Sequence, residues 1–83
     1  MAQVQIKYCV ECLYLDRALE IAKALLDAYA DQISAVEIVP GTRGIFNISL
    51  DGRLLFQLKE GQWPLPTPEL IQREVGRALR VAA

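Results

Sequence analysis

The hydrophobic period of this chain changes across four residues, and that change limits what the surrounding segment can become. Before Cys9, Val4, Ile6 and Tyr8 alternate with Gln5 and Lys7, the period-two pattern of a strand with one buried face. After Cys12, Leu15, Leu19, Ala22, Leu25, Leu26 and Tyr29 recur at helical spacing, with Asp16, Arg17, Glu20, Lys23 and Asp27 elsewhere. The spacing predicts a strand that runs straight into Cys9-Val10-Glu11-Cys12. A helix over residues 13–30 then begins at or just after the second cysteine.

Further along, Val36 and Ile38 flank Glu37 in a second strand ended by Pro40-Gly41. Phe46, Ile48 and Leu50 alternate with Ile45, Asn47 and Ser49 in a third strand, and Leu54, Phe56 and Leu58 alternate with Arg53, Leu55 and Gln57 in a fourth. Between them stands Asp51-Gly52, a pair suited to the positive φ angles of a type I′ hairpin turn. Residues 59–66 are turn-rich. Thr67-Pro68-Glu69 then reads as an N-cap, a first-turn proline and a favourable acid at a helix start. Ile71, Val75, Ala78, Leu79 and Ala82 stripe that helix, and Glu69 and Arg73 stand at ion-pair spacing.

The order β-α-β-β-β-α implies parallel first and second strands and an antiparallel final hairpin. The opposite faces of the strands carry Gln5, Lys7, Glu37, Asn47, Ser49, Arg53 and Gln57. One wet sheet face places both helices on the other. The expected fold is therefore α/β in content, an α+β two-layer sandwich with a mixed four-stranded sheet.

At 83 residues the chain makes one domain. A net charge of −1 and a pI near 5.3 give no electrostatic case for nucleic acid. No apolar run reaches the roughly 18 residues of a membrane span, and the start lacks a signal-peptide pattern. The expectation is a cytoplasmic, reducing location. Two cysteines are too few for a secreted disulfide scaffold, and the chain has no histidine. Ser-His and Cys-His dyads are thereby excluded.

The chemistry concentrates at Cys9 and Cys12. A helix N-terminus presents unpaired N–H groups and a partial positive charge, both of which favour thiolate. Two residues between the sulfurs let one resolve a mixed disulfide made by the other. Glu11, and Asp16 if near, oppose the lowering of the thiol pKa, so a moderate nucleophile is expected. A closed zinc site needs about four ligands, which one chain with two cysteines and no histidine does not supply. Zinc shared between two chains and an inert buried pair are the alternatives. No cofactor is implied.

Val39-Pro40-Gly41-Thr42-Arg43-Gly44 lacks the helix and the Lys-Ser/Thr of a phosphate loop. Its plain reading is a tight inter-strand loop. In a β-α-β unit that loop also emerges at the same sheet edge as Cys9, where Pro40, Gly41, Thr42 and Arg43 would wall the site. There the Arg43 cation would favour a thiolate or an anionic thiol. Tyr8 and Tyr14 flank the motif, shielding the sulfurs or simply packing, and Trp63 caps the core or meets a partner.

Together, Tyr8-Cys9-Val10-Glu11-Cys12, Val39-Pro40-Gly41-Thr42-Arg43-Gly44-Ile45-Phe46, Leu50-Asp51-Gly52 and Gly61-Gln62-Trp63-Pro64 resemble the selenoprotein W, or Rdx, family, which also includes selenoproteins T and H. The resemblance covers nearly the whole chain and implies a thioredoxin-like fold with a redox role. Animal members carry selenocysteine at the position matching Cys12, whereas this chain resembles the cysteine-containing bacterial type. Thioredoxin logic makes Cys9 the attacking thiol and Cys12 the resolving one, while the selenocysteine position points to Cys12. The chain departs from thioredoxins proper where their cis-proline would stand, since Arg43-Gly44 occupies that place. The resemblance implies a thiol-disulfide role with glutathione or a thioredoxin-type protein as electron source. The alternative is a non-enzymatic interaction module with a redox-sensitive cysteine pair. The residues fix neither substrate nor oligomeric state.

Overall fold

A computed structural model of the chain describes residues 2–58 and 65–82. Its elements run β1 (Ala2–Cys9), α1 (Leu15–Tyr29), β2 (Ile33–Gly41), β3 (Phe46–Leu50), β4 (Arg53–Leu58) and α2 (Pro68–Ala82). The sheet order is β2-β1-β3-β4, with β1–β2 parallel and β1–β3 and β3–β4 antiparallel. This is the mixed sheet that the pattern predicts.

Alternation sorts the two faces. Val4, Ile6, Phe46 and Ile48 are fully buried on one side and join Ala18, Ile21, Leu25, Ile71 and Val75 of the helices in one core. The other face is open and carries exposed Gln3, Gln5, Lys7, Glu37 and Gln57. Asp51 and Gly52 both have positive φ, at 51° and 85°, as the hairpin turn requires. At α2 the Leu70 amide donates to Thr67 Oγ1 at 3.1 Å, so Thr67 is the N-cap.

Four expectations need correction. The helix α1 starts at Leu15, not Leu13. Leu13 takes φ +61°, a left-handed conformation that no helix continues through. Within α1, the buried row is Ala18, Ile21, Ala22 and Leu25, while Leu15, Leu19 and Leu26 stay 41%, 49% and 42% exposed. In β4, Ile48 pairs with Phe56 but Ser49 pairs with Leu54, so Leu55 is the extra residue of a bulge. The slip reverses the facing of the strand's first half and leaves Leu54 50% exposed. Glu69 and Arg73 form no ion pair among the described residues; Arg77 and Glu74 do, at 3.6 Å.

The helices are tied to each other by polar bonds to the backbone. Gln72 Nε2 donates to the Ala24 carbonyl at 2.9 Å, and the Tyr29 hydroxyl donates to the Gln72 carbonyl at 3.0 Å. Arg17 Nη1 donates to the Pro66 carbonyl at 2.8 Å. No helix among the described residues is long and apolar enough to cross a membrane.

Candidate functional site

The sheet topology delivers two chain segments to one place. Because β2 and β3 lie on either side of β1, the residues joining them must pass over the end of β1, where Cys9 stands. Gly41 is the register partner of Cys9, and the Gly41 carbonyl accepts the Val10 amide at 3.1 Å. Arg43 and Gly44 have φ of +60° and +72°, and the Ile45 amide reaches back to the Thr42 carbonyl at 3.3 Å. These values describe a tight turn, so no phosphate loop forms.

The cysteine segment is itself a closed turn. The Leu13 amide donates to the Val10 carbonyl at 3.2 Å, and the Tyr14 amide to the Cys9 carbonyl at 3.4 Å. Cys9 and Cys12 are joined as a disulfide, with Cα atoms 5.3 Å apart. Tyr14, the N-cap residue of α1, offers no side-chain cap. Its ring instead meets Phe46 edge-on at 6.0 Å, which anchors the turn to the core.

The two cysteines are not equivalent. Cys9 ends β1 and is 1% exposed. Cys12 sits on the turn and is exposed. Around it, Val10 is 49% and Leu13 85% exposed, and Glu11 is exposed. Such an arrangement permits sulfur exchange at Cys12, with buried Cys9 as its bonded partner. Among the described residues no three Cys, Asp or Glu side chains gather where they would hold a metal ion.

Other expected site residues are placed as follows. Tyr8 and Tyr14 are half-buried against the core. Pro40, Thr42 and Arg43 are exposed at the β2–β3 turn, beside Gly41. Trp63 lies outside the described residues, as does the turn-rich stretch over residues 59–64. Sequence reasoning missed Lys7, Asn47 and Gln57. Together with Arg43 they line a groove of about 640 Å³ on the open sheet face. Each reads in the sequence only as the polar half of an alternating strand. It missed Leu13 as well, since an apolar residue ahead of a helical stripe reads as the helix's first turn.

The Rdx family model matches residues 3–77. Among solved structures, a protein from Bordetella parapertussis is 30% identical, with a TM-score of 0.83 over 93% of this chain and 96% of its own. A selenoprotein W-related protein from Vibrio cholerae is 28% identical, with a TM-score of 0.82 over 94% of this chain and 96% of its own. No curated protein matches the chain.

Proposed function

The chain belongs to the Rdx family, and we propose that it is a thiol-disulfide exchange protein whose working sulfur is Cys12. The observation that carries this reading is the asymmetry of the pair, with Cys9 buried and Cys12 exposed. Exchange requires the incoming and leaving sulfurs to lie roughly in line with the sulfur attacked, so access selects Cys12. This assignment reverses the order that thioredoxin logic suggests.

In the dithiol form, the Cys12 thiolate attacks one sulfur of a substrate disulfide. A Cys12–substrate disulfide forms and the other substrate sulfur leaves as a thiolate. Cys9, as thiolate, then attacks Cys12 Sγ and expels the second substrate thiolate. The substrate gains two electrons and Cys9–Cys12 becomes the disulfide. Two thiols from glutathione, or from a thioredoxin-type protein, return it to the dithiol. Glutathione and thioredoxin enter here from the family resemblance. The unpaired amides of the first turn of α1 favour anions near that helix end.

Titration of the Cys9–Cys12 pair against glutathione buffers tests the reading. A potential of about −180 to −270 mV supports exchange. A pair that never oxidises across that range sinks it.

A further inference from the structure

On the open sheet face, the register places Val39, Lys7, Asn47 and Gln57 in one row across all four strands. Two positions further down, Gln5 pairs with Glu37 and Ser49. The lower row is satisfied internally, since Gln5 Nε2 donates to Glu37 Oε1 at 2.7 Å. Asp51, further down, is likewise used, accepting the Gln3 amide at 2.9 Å. The upper row differs. Among the described residues no side-chain hydrogen bond joins Lys7, Asn47 and Gln57, although the ladder sets them side by side. Asn47 Oδ1 is buried and has no partner among the described residues.

The face is also polarised. Lys7 and Arg43 line the groove at the cysteine end, and among the described residues no acid lines it. Glu37 and Asp51 line a smaller hollow at the far end. A negatively charged ligand is drawn to the groove and repelled from the far end.

We propose that this groove seats an acidic, extended segment of a protein whose disulfide exchanges at Cys12. Lys7 and Arg43 take the carboxylates, and the Asn47 and Gln57 amides and the Thr42 hydroxyl take backbone groups. Gly41 links the two regions, since it lines the groove and also bonds Val10. The apolar surface around Cys12, with Val10 and Leu13 exposed, favours a protein over a small anion. A small anion leaves that surface uncovered, whereas a protein docked through the groove covers both. The purpose given to the groove rests on the exchange reading, but binding is measured without it.

The experiment follows backbone-amide NMR signals of the oxidised full chain on addition of a blocked peptide, acetyl-Ala-Glu-Glu-Ala-amide, which has no thiol. Saturable shifts are expected at Lys7, Thr42, Asn47 and Gln57, weakening as salt is raised. Lys7→Gln and Arg43→Asn should each weaken binding about tenfold, the loss of one charge-assisted contact. Asn tolerates the left-handed backbone at position 43. Equal binding of the Gln-for-Glu peptide overturns the proposal. So does equal binding of inorganic phosphate at the same amides, which would mark the groove as a site for any small anion. Exchange of the wild-type chain with 2-hydroxyethyl disulfide, small and neutral, is followed separately. Failure there removes the exchange reading and leaves the peptide result to stand or fall alone.

Discussion

Cys9 and Gly41 face each other across the parallel β1–β2 ladder, and the Gly41 carbonyl fixes the first amide beyond Cys9. A Cβ built on Gly41 would stand 2.8 Å from Ile45 Cγ2 and 3.3 Å from the Tyr8 carbonyl oxygen. The close approach of β2 to β1 thus depends on a residue without a side chain. It is also where the β2–β3 turn and the cysteine turn are tied together.

Gly41→Ala is therefore expected to destabilise the chain by about 1–3 kcal/mol, the usual cost of overpacking. The Val10 amide should lose hydrogen-exchange protection by more than amides in α2. Urea melts and exchange rates check both. A variant as stable as the parent would show that the turn yields without cost.

The two cysteines should separate cleanly under trapping. In Cys9→Ser, Cys12 forms a mixed disulfide that no neighbour resolves, so adducts accumulate. In Cys12→Ser, the remaining sulfur is buried and adducts form at least tenfold more slowly, by the access argument. Mass spectrometry after addition of a disulfide substrate reads the difference. Alkylation of the reduced chain should likewise be faster in Cys9→Ser than in Cys12→Ser, because access to the sulfur limits the reaction. Faster trapping in Cys12→Ser would restore the thioredoxin order, and equal trapping would remove the access argument.

Leu13 carries two costs at once. It is 85% exposed and holds φ +61°, which for a residue with a Cβ costs roughly 1–2 kcal/mol. Leu13→Gly should raise the urea midpoint by an amount equivalent to about 1 kcal/mol, since little burial is lost and Gly takes this conformation freely. Exchange with protein disulfides should slow in the same variant, because the apolar contact beside Cys12 is gone. A gain in stability with no loss of exchange would leave Leu13 without a role in docking.

Much of this was legible from residue pattern, and the reasons differ from place to place. The strands and their buried faces follow from alternation in Val4-Gln5-Ile6 and Phe46-Asn47-Ile48, and the hairpin from Asp51-Gly52. Thr67 was legible as a cap because Pro68 and Glu69 follow it. The β4 bulge was not, because Leu54, Leu55 and Phe56 are all apolar and nothing local says which one is extra. The true start of α1 was hidden because left-handed Leu13 is chemically a good helix former. Cys9 and Cys12 were found by type and spacing alone. Their unequal exposure depends on the β2–β3 turn crossing β1, a long-range fact that no local pattern carries.

The bulge makes its own prediction for β4. Leu54→Thr should change stability by no more than about 0.5 kcal/mol, as for other surface positions. Leu58→Ala, at a position 7% exposed, should cost roughly 2–5 kcal/mol. Thermal or urea unfolding of the two variants distinguishes the bulged strand from a regular one, in which Leu54 and Leu58 would share the buried face and both substitutions would be costly.

The helix pair supplies a test in which propensity and packing disagree in sign. Gly76 lies inside α2 and is buried. Replacing a helix-interior glycine by alanine ordinarily stabilises by about 1 kcal/mol. Here a Cβ would overlap the Tyr29 hydroxyl, which donates to the Gln72 carbonyl at 3.0 Å. The alanine must push the ring aside and break that bond, so Gly76→Ala is expected to destabilise by about 1–3 kcal/mol. Tyr29→Phe alone should cost about 0.5–1.5 kcal/mol, the net worth of one hydrogen bond. The double variant removes the atom that the Cβ meets, so its loss should be smaller than the sum of the single losses. A double-mutant cycle from urea melts measures that coupling. Strict additivity would mean that the helices do not meet through Gly76 and Tyr29.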